Sequence, residues 1–268
     1  MKIIDAHIHT NFSDKEAAEF IRTYKIDYTW EGLQSSLYKN KIETAIAITG
    51  DHNFPTPGQY EMLREQANKD PRLKIVVSIH PQFTKFWHLK TIKKLFEKNL
   101  IAGIKIYPAY HPVYPNDKRY FPFYKLAGQY KKPVIVHTGD TLGGQYLVKY
   151  SHPLSMDEVA VAFPQTTFIL AHLGNPWVRD AAELVYKNEN VYADLSAFCI
   201  GHQKTAHNHI IDDIRYALEA TGRPDKFIYG SDWPLVEMKD YIKIIKKAVP
   251  KKHHKQVFYE NAKRIFNL

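Results

Sequence analysis

Ile3-Ile4-Asp5-Ala6-His7-Ile8-His9 is the stretch whose ending decides between two folds. Its first part is short, apolar and β-branched, the pattern of a buried strand. In an open, doubly wound sheet the turn after the first strand usually carries a glycine-rich phosphate loop. Here that position holds His7-Ile8-His9. Side chains repeat every two residues along a strand, so the reading puts Asp5, His7 and His9 on the face of the barrel mouth and turns Ile4, Ala6 and Ile8 toward helices. Asp5 is then placed to orient one imidazole as a hydrogen-bond acceptor.

Working outward, seven similar runs follow: Thr44–Thr49, Ile75–Ile79, Ala102–Tyr107, Pro133–His137, Thr167–His172, Val191–Leu195 and Phe227–Ser231. With Ile3–His7 they make eight. Segments of helical periodicity lie between them, among them Glu16–Tyr24, Tyr60–Asn68, Leu89–Asn99, Pro176–Lys187 and Ile210–Ala220. Such alternation implies a parallel sheet with crossover helices. Eight units in 268 residues predict an α/β protein, a single (β/α)8 TIM barrel, formed as one domain over residues 1–268. No Gly/Ser-rich linker or low-complexity segment interrupts the spacing.

Composition removes several function classes. No apolar run reaches the length of a membrane span, and no secretory leader precedes the first strand. Cys199 is the single cysteine, which excludes an internal disulfide and a thiolate zinc cluster. A cytoplasmic protein is the expectation. The net charge of +9 comes from 37 Lys+Arg against 28 Asp+Glu, with many lysines in helix-like stretches that read as solvated faces. No basic stripe with interleaved aromatics suggests nucleic acid. The expected partner is a small-molecule substrate, with neither nucleic acid nor membrane, and a homo-oligomer is left open.

Active sites of such barrels form at the C-terminal ends of the strands. Taken in order, those ends hold His7/His9, Gly50-Asp51-His52, His80, Lys105, His137, His172, Asp194/Ser196 and Asp232. Each has a plain explanation: a satisfied core histidine, or for Asp232 the N-cap of a helix over Val236–Lys247. Their coincidence at one rim argues otherwise, because burying several imidazoles and carboxylates together is costly unless they pair or bind a metal. Three imidazoles and one carboxylate suit Zn²⁺ or another divalent transition metal, with a position left for water. Bound water there ionises near a pKa of ~7. His172 is the candidate to orient that water, and Asp232 the candidate to accept its proton.

These residues sit in motifs that resemble the amidohydrolase superfamily, in its amidohydrolase-related branch, which includes aminocarboxymuconate-semialdehyde decarboxylase. The matching pieces are Ile4-Asp5-Ala6-His7-Ile8-His9, Gly103-Ile104-Lys105-Ile106-Tyr107-Pro108, Pro133-Val134-Ile135-Val136-His137 and Ala171-His172-Leu173-Gly174-Asn175-Pro176-Trp177. They continue through Asn190-Val191-Tyr192-Ala193-Asp194-Leu195-Ser196, Tyr229-Gly230-Ser231-Asp232-Trp233-Pro234 and a closing Glu260-Asn261-Ala262-Lys263-Arg264-Ile265-Phe266. The resemblance implies one metal on His7, His9, His137 and Asp232, with His172 assisting the water. It also implies a choice at Lys105: carboxylated, it would bridge two metals; unmodified, it would bind an anionic substrate group beside one. One ion is the preferred reading. A weaker resemblance to the polymerase-and-histidinol-phosphatase phosphoesterases rests on Asp5 to Asp14 and Ala47 to Asn53. It implies seven strands and a histidine where this chain has Pro234.

The leading expectation is a metal-dependent hydrolase of a small anionic ester, lactone or amide. Non-oxidative decarboxylation of an unsaturated or aromatic acid, phosphoester hydrolysis and a silent ligand-binding barrel are the alternatives. The Pro- and Tyr-rich segment Tyr107–Phe123, with His111, Lys118 and Arg119, is expected to cover the mouth, and Arg179 to stand near the rim. His202, His207 and His209 read as loop running into helix rather than as a second metal site, and His253-His254 as exposed.

Overall fold

The computed structural model describes residues 1–50, 57–83, 86–201 and 207–268. Its eight strands are β1 (Ile3–Ile8), β2 (Ile42–Ile48), β3 (Leu73–Ser78), β4 (Gly103–Ile106), β5 (Val134–Val136), β6 (Phe168–Leu170), β7 (Val191–Asp194) and β8 (Phe227–Ile228). All neighbours pair in parallel in the order β1 to β8. The two ends of the sheet meet: Ala6 N donates to Tyr229 O at 2.9 Å and His9 N to Trp233 O at 2.7 Å. This is the expected (β/α)8 barrel. Its eighth strand departs from the seven-strand phosphoesterase pattern.

Alternation along the strands builds two apolar layers. Ala45, Ala47, Ile75, Val77, Ile104, Ile106, Val134 and Val136 pack outward among the helices. Ile46, Ile48, Val76, Ile135, Ile169 and Ile228 fill the interior, joined by Ala262, Ile265 and Phe266 of the closing helix, Asn261–Phe266. That helix contacts β1 and β8, where the barrel closes, and the polar residues gather at the C-terminal ends of the strands.

β1 departs from simple alternation. Asp5 pairs with Ala45 and Ile8 with Ala47, so Ala6 and His7 together stand opposite Ile46. This bulge puts Ile4 and Ala6 in the interior layer and Ile8 in the outer one. Asp5 is therefore not on the face of His7, as alternation predicts. Its Oδ1 instead accepts from Ser231 N at 2.8 Å and His7 N at 3.3 Å, clamping the first strand to the turn after the last. Burial raises the Asp5 carboxyl to about 7.

Several strands end earlier than the sequence suggests. β6 stops at Leu170 and β8 at Ile228, because the backbone turns to positive φ at His172 (60°), Leu173 (44°) and Asp232 (63°). The helix after β8, Met238–Ala248, is capped by Glu237, which accepts from Asp240 N at 3.0 Å. Asp232 is thus not a helix cap.

Away from the site, His209 is exposed and paired with Asp213 at 3.0 Å along its own helix, His207–Thr221. Asp51, His52 and His202 lie outside the described residues, as does the side chain of His207. His253 and His254 are half-buried rather than exposed: His253 meets Gln256 Oε1 at 3.0 Å, and His254 meets Val249 O at 2.9 Å. Among the described residues, no helix is long and apolar enough to cross a membrane.

Candidate active site

His7 and His9 leave β1 toward the rim, and Asp232 reaches them from the turn after β8. Asp232 is held in its left-handed conformation by its N–H, which donates to His7 O at 2.7 Å. The residue that lets the two segments close is Gly230, where an added Cβ would stand 2.9 Å from His7 Cβ. His7 Nδ1 faces Asp194 Oδ2 at 2.9 Å, and His9 Nδ1 faces Ile48 O at 3.2 Å. Both partners accept only, so each Nδ1 carries the proton and each Nε2 is a bare lone pair. The two Nε2 atoms point at Asp232 Oδ1, at 3.5 Å from His7 and 3.2 Å from His9. That oxygen is buried and receives no hydrogen bond. Three acceptors facing one point repel each other unless a cation stands among them. They fit a divalent metal.

Protonation states agree. Burial lowers the His7 imidazole to about 4, and nearby Lys105 adds to the effect. For Asp232, burial alone would raise the carboxyl, but His7, His9 and His172 outweigh it and hold it below the ordinary carboxylate range. At neutral pH His7 is therefore neutral and Asp232 ionised, the states that ligate.

Asp194 is the residue whose function the sequence did not disclose. Besides His7 Nδ1, it accepts from His172 N at 2.9 Å, Ser196 N at 3.1 Å and Ser196 Oγ. Ser196 Oγ in turn lies 2.9 Å from His172 Nδ1. Its own proton goes to Asp194, so it accepts there, and His172 also keeps Nε2 bare. One buried carboxylate therefore fixes the ring orientation of His7 and, through Ser196, of His172. His7, His172 and Asp194 also lie close enough together to resemble a metal group, but Asp194 is already saturated with donors. Asp194→Asn preserves shape and removes charge. It is expected to weaken metal affinity about 10- to 100-fold, the usual effect of losing a carboxylate behind a histidine ligand, as a chelator-competition titration would read.

His137 and Lys105 complete the rim. The His137 ring centroid is 5.1 Å from that of His172, but its Nε2 is 3.0 Å from Asp140 O. It does not join His7, His9 and Asp232 in their compact group. Burial, reinforced by His172, lowers its pKa well below the ordinary histidine value. Lys105 is fully buried, its Nζ has no hydrogen-bond partner, and it stands 5.1 Å from the Tyr107 ring centroid. Burial lowers this amine to about 8, against the pull of Asp194 and Asp232. Of the other basic residues expected near the rim, Arg119 and Arg179 have side-chain partners of their own, and Arg119 also donates to Pro81 O at 3.4 Å, next to the strand-end His80. Arg119 pairs with Asp117 at 2.8 Å, and Arg179 lies over the Tyr216 ring at 4.1 Å.

A cavity of about 230 Å³ opens beside His137, His172 and Asp232. Tyr110, from the Tyr-rich segment, forms part of its wall, edge-on to His137 at 4.8 Å and packed on Tyr146 at 4.7 Å.

Similarity to known proteins accords with the barrel fold. No curated protein matches the sequence. Among solved structures, a probable 2-pyrone-4,6-dicarboxylic acid hydrolase from Acinetobacter baumannii is similar, with 18% identity, a TM-score of 0.72 and 100% of each chain covered. A 5-carboxyvanillate decarboxylase from Sphingomonas paucimobilis shares 13% identity at a TM-score of 0.71, covering 100% of this chain and 99% of its own. An amidohydrolase from Burkholderia multivorans, solved with bound zinc, shares 15% identity at 0.73, with 100% of each chain covered. At these identities the likeness bears on the fold alone. A family model described as amidohydrolase matches residues 4–268, and the chain belongs to the amidohydrolase family of enzymes.

Proposed function

We propose that this enzyme hydrolyses a small ester, lactone or amide with one divalent transition-metal ion, zinc or a similar metal, held by His7, His9, His137 and Asp232. The observation that carries this reading is the meeting of two bare Nε2 atoms with the orphaned Asp232 Oδ1, at 3.5 and 3.2 Å. When bound, such an ion acts as a Lewis acid that polarises a substrate oxygen and brings water toward ionisation near neutral pH. The side chains divide the remaining work. Asp232, ionised, accepts the proton of the attacking water and passes it to the leaving group. His172, its Nδ1 pinned at Ser196, orients that water. Lys105 donates to a substrate oxygen, which supplies the acceptor its buried ammonium lacks.

The role given to Lys105 has a direct consequence. Lys105→Met should raise KM for substrates with an anionic group by about 10-fold or more, the range expected when a hydrogen bond to a charged group is lost. KM for neutral analogues should change far less. Equal effects on both classes would remove the anion-binding role.

Decarboxylation is the second reading, because a buried ammonium beside the same metal group would equally hold a carboxylate. Product analysis decides between them. Hydrolysis predicts ring-opened or cleaved acid with no gas, whereas release of CO₂ from an unsaturated or aromatic acid would replace the hydrolytic reading.

A further inference from the structure

The segments that line the cavity beside the metal group contribute different kinds of side chain. Phe198, Ile200 and Leu235, from the stretches after β7 and β8, are apolar, whereas Thr141 and Asn175, from those after β5 and β6, are polar and neutral. Asn175 follows His172 by three residues and lines the same cavity. The usual structural reasons for an asparagine do not apply to it. Its backbone is at φ −48° and ψ 127°, not in the left-handed region that asparagine enters more readily than most residues. It caps no helix: the one that follows, Val178–Lys187, starts from Trp177 without a side-chain hydrogen bond. The residue is half-buried, and among the described residues its carboxamide has no hydrogen-bond partner. A donor and an acceptor are thus carried partly out of water with nothing in the protein to receive them.

The backbone that carries this amide is fixed. Asn175 N donates to His172 O at 2.9 Å, and Asn175 O accepts from Asp140 N at 2.8 Å. Gly139, at φ 94°, lets the two segments meet, since a Cβ there would overlap Asn175 O. Neither backbone bond depends on the side chain. We propose that Asn175 is a substrate-binding residue that reads a hydroxyl group, so that the site takes hydroxy-substituted acyl compounds. A hydroxyl matches a primary amide in both directions, donating to Oδ1 or accepting from Nδ2. The hydroxyl-bearing side of the substrate faces Asn175, and its carbon skeleton rests toward Phe198 and Leu235. That the hydroxylated ligand is an ester, lactone or amide rests on the hydrolytic reading above; the role of Asn175 does not.

The test uses zinc-loaded enzyme and two hydroxamates of equal chain length, hexanohydroxamic acid and D-gluconohydroxamic acid. The second carries a hydroxyl on every carbon beyond the metal-binding head, so the comparison does not depend on which one reaches Asn175. Both are titrated calorimetrically into the native enzyme, into Asn175→Leu, which keeps much of the shape without the polar atoms, and into Asn175→Ala. Both variants should keep the native thermal melt and zinc content, because residue 175 is held by its backbone. Each should weaken gluconohydroxamate by about 3- to 10-fold, as expected for the loss of a neutral hydrogen bond, and leave hexanohydroxamate within about twofold. Differences in how the two heads bind zinc cancel between native enzyme and variant. An unchanged ratio of the two affinities would overturn the proposal, as would equal weakening of both ligands or a native enzyme that binds neither. Loss of the fold or of zinc in both variants would give Asn175 a structural role and overturn it too. The two readings fail separately. A ratio that falls as expected in an enzyme that cleaves no ester, lactone or amide would sink the hydrolytic reading and leave Asn175 in its role, whereas cleavage with an unchanged ratio would do the reverse.

Discussion

Asp232→Asn is expected to reduce turnover by roughly 10⁴-fold or more, at or beyond the top of the ~10²–10⁴-fold range for loss of one acid–base group, while the protein remains folded. The large effect follows from two functions in one side chain. An amide is a poor metal ligand, and it cannot take a proton from water. The fold should survive because the backbone requirements of the position are met by asparagine. Asp232 sits at φ 63°, a region asparagine enters more readily than most residues. Its N–H bond to His7 O does not involve the side chain. Steady-state assays, paired with a thermal melt and metal analysis, check the prediction. Near-native turnover in the variant would remove Asp232 from the chemistry.

His172→Ala is expected to lower kcat by about 10²–10⁴-fold, the range for a positioned acid–base or orienting group, with the metal retained. Alanine removes the imidazole but keeps the N–H that donates to Asp194. Alanine at φ 60° also carries a backbone penalty of about 1–2 kcal/mol. His172→Asn therefore serves as a control that tolerates the conformation. Both variants should lose kcat and both should keep one ion per chain. If His172→Ala instead loses one of two bound metals, a two-metal site with a carboxylated Lys105 replaces the single-metal account.

Much of the fold was legible because the barrel repeats a strong local signal. Each strand carries a β-branched run such as Val134-Ile135-Val136, and each crossover shows helical periodicity. The eight strands lie where those runs predicted, apart from their ends. What escaped was set by contacts between segments distant in sequence. The bulge at Ala6 and His7 depends on how β1 registers against β2, and no pattern within the first ten residues reveals it. Asp5 consequently clamps backbone, and the imidazole is oriented by Asp194, 187 positions away in sequence. The spacing of Asp194 and Ser196 at a strand end was a usable hint. Two polar residues, two apart, at the rim of a barrel are rarely idle, but their partners could be named only from the structure. The expected metal residues divide as well: His7, His9 and Asp232 converge, whereas His137 stands beside them with its Nε2 on Asp140 O.

The central claim is that this group holds a divalent ion, and metal stoichiometry tests it most directly. Chelator-stripped enzyme would be titrated with zinc, and bound metal counted per chain by elemental analysis, for the native protein and for His7→Ala, His9→Ala and His137→Ala. The account predicts one tightly bound ion per native chain and its loss from each variant, most completely where a bare Nε2 beside Asp232 is removed. Native protein that binds no ion after stripping, or a His9→Ala variant that binds zinc as tightly as the native chain, would contradict it.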